Sequence, residues 1–119
     1  MEILKYVGLV LFAVPFVLSG ISHLLTTGPL TEYALYKGVP AAKFSVIVTG
    51  IILVVAPFLV IFGVIPQIAL AALALFLIAT AVKMHNFWAV DPEQRQVEQV
   101  NFNKNIGLAG AALALIALI

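Results

Sequence analysis

From Phe44 to Val82 the chain carries no Asp, Glu, Lys or Arg. The run is about 39 residues long, and a helix needs about 20 predominantly apolar residues to cross a bilayer, so it reads as two spans. Gly63-Val64-Ile65-Pro66 divides it, because glycine ends helices and proline starts them. A second charge-free run, Tyr6 to Thr31, supplies another span. The expected helices are about residues 3–25, 44–62 and 67–85. Pro15 and Pro57 fall inside the first two and predict bends there.

Composition agrees with a lipid solvent. The chain of 119 residues is 64% hydrophobic and 9% charged, with a mean hydropathy of +1.20. A soluble domain carries about 25% charged residues. Lipid accepts apolar surface on every side of a helix, so a bilayer removes the conflict. The reading is one integral membrane domain over 1–119. A net charge of +1 leaves no basic field for nucleic acid. With no cysteine, disulfides, thiolate metal sites and a dithiol relay are excluded, while the redox compartment stays open. Met1 to Leu25 lacks a small-residue cleavage site and is long enough to span, so it is expected to remain as an anchor.

A fourth span is harder to place. Gly107 to Ile119 is apolar but covers only about 20 Å as a helix, short of a hydrocarbon core of about 30 Å. The fourth span is therefore expected at about residues 101–119, carrying Asn101 to Asn105 into the membrane edge with their amides turned inward. Asp91-Pro92-Glu93 reads as a separate helix start. Asn103, Gly107, Gly110, Ala111 and Ala114 share one face, read as packing inside the bundle, with a homodimer contact as the alternative. Between the first two spans, Pro29 opens and Gly38-Val39-Pro40 closes a short interfacial helix anchored by Tyr33 and Tyr36. The fold class is thus all-α, a four-transmembrane-helix bundle with a short interfacial helix between helices 1 and 2. Lys5 stands on the side of the termini; Lys37, Lys43, Lys83, Arg95 and Lys104 stand on the other, which places both termini outside.

That topology gathers polar residues at one end. His23, Lys83, His85, Asn86 and Asn101 to Asn105 converge there, under a segment holding Glu32, Tyr33 and Tyr36 and beside Trp88. The candidate ligand residues are His23, Lys83, His85, Asn101, Asn103, Lys104 and Asn105; Glu32, Tyr33, Tyr36 and Trp88 form an interfacial lid. Histidine donates or relays protons near neutrality. Each residue also has a plainer role: snorkelling for Lys83 and Lys104, belt positions for the aromatics and for His85. Glu98 or Glu32 would partner Lys104. Two histidines on separate helices can ligate a haem, but nothing matches their depths; no dense ligand spacing marks a metal site. Gly-rich phosphate loops and a nucleophile elbow are absent.

Phe16-Val17-Leu18-Ser19-Gly20 with Ser22-His23, Gly38-Val39-Pro40, His85-Asn86-Phe87-Trp88 and Gln99-Val100-Asn101-Phe102-Asn103-Lys104-Asn105 before Gly107 resemble the DoxX family of small bacterial and archaeal membrane proteins. The resemblance implies a four-helix bundle in the cytoplasmic membrane and a link to quinone-coupled oxidation, including thiosulfate:quinone oxidoreductase. Other members resemble partners of redox-stress enzymes, so no single activity carries over. It transfers His23 (often Lys in relatives), His85, Lys104 and Asn105 as polar positions. Many relatives carry an acid in the second helix; here Thr49-Gly50 and Ala56-Pro57 stand there without one. Three functions compete: a quinone-binding accessory subunit, active only within an oxidoreductase complex; a scaffold or assembly factor holding a partner protein, with a homo-oligomer possible; and a transporter, for which helix 2 offers only Thr49.

Overall fold

In the computed structural model, which describes every residue from Met1 to Ile119, each apolar run becomes a helix. The elements are α1 (Glu2–Leu25), α2 (Thr27–Tyr36), α3 (Ala42–Phe62), α4 (Pro66–Met84), a 3-10 turn (Phe87–Ala89) and α5 (Pro92–Leu118). No strand interrupts them. Three segments are long and apolar enough to cross a membrane: Glu2–Leu25, Ala42–Phe62 and Pro66–Ala89. α1 and α3 run unbroken through Pro15 and Pro57.

Glycine closes the turns where the chain must reverse. Gly38 (φ +80°) follows α2, with Val39 N–H reaching Ala34 O and Gly38 N–H reaching Leu35 O. Gly63 (φ +72°) repeats the arrangement after α3 through Val64 N–H to Leu59 O and Gly63 N–H to Val60 O. Both are Schellman caps, which satisfy otherwise orphaned carbonyls at a left-handed residue. Pro66 then opens α4, where a missing N–H costs nothing.

α5 departs from expectation. It begins at Pro92, not near Asn101, so the helix start at Asp91 and the last apolar run belong to one continuous helix of 27 residues. Its first half is polar, and it is not among the segments apolar enough to span. The small-residue face is also reversed: Asn103, Gly107, Gly110, Ala111 and Ala114 are exposed, while Asn105, Ala109 and Ala112 face inward. Small residues lie on both faces of this helix, so size alone does not mark its packed side.

Packing runs in chain order. α1 lies along α3, α3 against α4 and α4 along α5, while α2 rests on the start of α3. No packing of similar extent joins α1 to α5. One core threads the row, from Leu9 and Phe16 through Leu53 and Val60 to Leu70, Leu73, Leu77 and Ala112. A smaller cluster, Ala34, Ala42 and Val46, seats α2 on α3.

The tightest helix contact is between glycines. A Cβ at Gly20 would lie 2.7 Å from Gly50 O, and one at Gly50 would lie 2.7 Å from His23 Cβ. Without a hydrophobic drive between helices in lipid, such close approach supplies the dispersion contacts that hold them. Gly20→Ala and Gly50→Ala are therefore expected to lower stability by about 1–3 kcal/mol, as overpacked sites do. Gly107→Ala and Gly110→Ala, with nothing within 4 Å, are expected to cause no loss. Unfolding of the four variants in detergent, followed by circular dichroism, checks the contrast.

Candidate functional site

The connections at one end of the helices carry most of the polar contacts. α2 folds back over this end because its inward face is apolar at Leu30 and Ala34. Its last turn brings Lys37 over to the end of α4, where Nζ donates to Asn86 Oδ1 at 2.8 Å. The same ammonium lies 5.8 Å from the Tyr33 ring centre. Lys83, on the last turn of α4, extends its own ammonium beside Gly38. A side chain at Gly38 would touch that ammonium at ordinary contact distance but would strain the left-handed turn.

His85 caps α4 and meets α5. Its Nδ1 lies 3.4 Å from Glu98 Oε2, and both side chains are largely buried. Phe87, Trp88 and Phe102 pack edge to face beside this pair, with ring centres 5.2 to 5.7 Å apart. Tyr33 sits near the same carboxylate. Partial burial of an otherwise exposed ring pushes its phenol above the usual 10.0, and the negative charge of Glu98 and the neighbouring Tyr36 add to the rise. Tyr33 thus remains a hydrogen-bond donor well into alkaline conditions. Thr31, also on α2, has a buried hydroxyl with no partner in the chain.

His23 belongs to a different level. Its Nδ1 lies 3.1 Å from Val46 O and 3.2 Å from Thr49 Oγ1, both on α3. Its ring stands 6.1 Å from that of Phe76 on α4. Phe76 precedes His85 by nine residues, about 13 Å of helix rise, so the imidazoles occupy separate depths.

The candidate residues accordingly divide. His85 and Lys83 stand at the polar end with Tyr33 of the lid. His23 stands deeper, on α3. Asn101 is half-buried and Asn105 is buried, whereas Asn103 and Lys104 face outward. Glu32, Tyr33, Tyr36 and Trp88 are exposed, Tyr33 only partly so. Glu98 pairs with His85 rather than with Lys104. Lys37, Glu98, Thr49 and Phe76 were not among the candidates. Glu98 could have been found: with Asn101, Asn105, Ala109 and Ala112 it repeats at three- and four-residue steps along the inward face of α5.

No group of three or more His, Asp or Glu side chains lies close enough to hold a metal ion. Two apolar grooves lie elsewhere. One of about 500 Å³ runs past Ile3, Tyr6 and Val10 near the start of α1. The other, about 280 Å³, lies between α1 and α3 among Val14, Val17, Pro57 and Phe58.

The raised phenol has a consequence for pH. The unfolded chain gives up this proton first, so stability is full below about pH 10.0 and falls as pH rises through the higher folded value. Tyr33→Phe is expected to flatten that alkaline fall in thermal melts. Glu98→Gln is expected to let Tyr33 ionise earlier in a phenolate absorbance titration. An unchanged titration in Glu98→Gln would mean that the carboxylate does not act on the phenol.

The geometry is that of a membrane-embedded helical protein with a polar network at one end. No curated protein and no solved structure matches the chain. The DoxX family model matches residues 7–86, from the first turns of α1 through the end of α4, with His23, Lys83 and His85 inside the matched region and the Gln99–Gly107 block beyond it. The chain belongs to the DoxX family and is an integral membrane protein.

Proposed function

We propose that this protein is an accessory subunit of a quinone-linked membrane redox system and that its polar end receives the head group of a quinone or a similar lipid-soluble ligand. On this reading α5 is the fourth span of a four-helix bundle, its polar first half extends past the membrane face, and both termini lie on the outer side of a bacterial or archaeal cytoplasmic membrane. The observation that carries the proposal is the grouping of Tyr33 with the His85–Glu98 pair beneath α2. A quinone carbonyl accepts hydrogen bonds, and reduction of its ring requires protons. Tyr33 keeps its hydrogen, and His85 beside Glu98 offers a second exchangeable site. Lys37 adds positive charge at the same end, although its ammonium already donates to Asn86. The residues supply hydrogen bonds and a proton route; electrons come from a partner.

Trp88, the only tryptophan, packs against Phe102 at this end and so reports on it. Titration with a short-chain quinone in detergent is expected to quench it saturably. Tyr33→Phe combined with His85→Ala should weaken binding about tenfold, the loss of one or two hydrogen bonds. Quenching that rises linearly, or that is identical in the double variant, would defeat the proposal.

A second reading, a scaffold for a partner protein, draws support from the first half of α5. Val97 and Val100 are exposed there, one turn apart, amid polar residues. The scaffold reading expects Val97→Asp with Val100→Asp to abolish partner capture while quinone quenching of Trp88 is unaffected. Capture that survives the double change removes this surface as the docking site.

A further inference from the structure

His23 carries an acceptor that nothing in the chain uses. Its Nδ1 faces Val46 O at 3.1 Å, and a carbonyl oxygen can only accept. It also faces Thr49 Oγ1 at 3.2 Å. The Thr49 hydroxyl lies 2.6 Å from Ser45 O and 3.2 Å from Val46 O, so its single hydrogen is committed to a backbone carbonyl. What Thr49 turns toward His23 is a lone pair. Both neighbours therefore require the hydrogen on Nδ1, and in a neutral imidazole that leaves Nε2 as a bare acceptor.

No side chain or backbone group donates to Nε2. The atom is not sealed either, because the one fully buried polar side-chain atom without a partner is Thr31 Oγ1. The ring of Phe76 stands edge-on to the imidazole, with centroids 6.1 Å apart. A second unpartnered group lies at a similar depth. Asn105 is only 7% exposed, and its amide makes no hydrogen bond within the chain, although it faces the packed side of α5. The His85–Glu98 contact sets the register of the antiparallel α4 and α5. Asn105, seven residues past Glu98, then falls about level with residue 78, within about one turn of Phe76. An unpaired acceptor at such depth is costly in hydrocarbon, so a donor that reaches His23 Nε2 stabilises it; Asn105 lies on α5, which does not pack along α1, and is a separate unpaired group.

We infer that His23 Nε2 is the acceptor of a ligand site on the accessible side of the His23 ring, next to Phe76, for a neutral, membrane-soluble molecule bearing an O–H donor of the phenol or hydroquinone type. The inference rests on the ligand reading above and deepens it by naming an oxidation state. A quinone carbonyl has no hydrogen to give and finds nothing at Nε2 of the neutral ring. A hydroquinone has one. With its hydrogen on Nδ1, His23 accepts from the reduced form at Nε2 and offers the oxidised form no hydrogen there. No covalent step is involved, only a hydrogen bond from the ligand to nitrogen.

The test uses the full chain in nanodiscs with nitrogen-15 in its two histidines, under anaerobic conditions with no added reductant or oxidant, and three short-chain probes, each added separately: a hydroquinone, its quinone and its dimethyl ether. Before addition, His23 should carry hydrogen on Nδ1 and none on Nε2. The Nε2 resonance should move saturably with the hydroquinone and stay put with the other two. His23→Asn places a side-chain N–H where Nδ1–H stood, so the bond to Val46 can persist while Nε2 is gone. That variant should keep its thermal midpoint and lose at least about tenfold in hydroquinone affinity. Should it fail to fold, the wild-type resonances decide alone. Hydrogen found on Nε2, equal movement with the dimethyl ether, or unchanged hydroquinone affinity in a folded His23→Asn would overturn the inference. If only the His85 resonance responds, the polar-end reading survives and this one does not. If no probe moves either histidine or quenches Trp88, both fall.

Discussion

The contact of Gly20 with Gly50 sets how α1 lies on α3 and, with it, the position of His23. Backbone approaches backbone there closely enough that neither residue can carry a Cβ. The closeness brings His23, one turn after Gly20, onto α3, where Val46 O and Thr49 accept from its ring. Separation of the helices by one methyl group would leave the imidazole without its acceptors. In water such a loss is softened by solvent. In hydrocarbon it is not, and the helix pairing and the histidine's bonding stand or fall together.

The same demand for internal satisfaction shapes both ends of the molecule. Chain reversals expose carbonyls, and left-handed glycines, Gly38 before α3 and Gly63 after it, direct N–H groups back to them. At the end that holds α2, polar groups are linked across elements: Lys37 of α2 to Asn86 after α4, and His85 after α4 to Glu98 of α5. These links tie three elements together where packing is thin. They also explain why α2 stays over the end of the helices although only a small cluster around Ala34 holds it.

Most of the architecture could be read from residue order because lipid leaves few choices. Charge-free runs gave α1, α3 and α4 with ends shifted by only a residue or two, and Gly63 with Pro66 marked the turn between the last two. Pro29 and Gly38 located α2, although Thr27 opens it. The fourth helix starts earlier than expected because a membrane span and a helix are different objects. Hydropathy reports only the apolar half, while the helix starts where Asp91 and Pro92 allow it. The inward face of α5 was missed because glycine and alanine occur all round it, and which side packs depends on α4. The partnership of His23 with Thr49 was invisible for a related reason. It follows from the rotation of α1 against α3, and the glycine contact fixes that rotation. Glu98 looked like one acid among polar neighbours until α5 brought it to His85.

The two polar levels differ in the hydrogens they hold. At the end of the helices Tyr33 retains its hydrogen because burial and the charge of Glu98 oppose ionisation. That level suits a head group that accepts. Deeper, beside Phe76, His23 has spent its only hydrogen on α3 and has a lone pair left. That level suits a head group that donates. Reduction of a quinone adds hydrogens to oxygens that still accept, so both forms can use the hydrogen held by Tyr33, but only the reduced form has one to give to His23. On the proposed reading, the deeper level is open to the ligand in one oxidation state and the polar end in both, and the tautomer of His23 makes the difference.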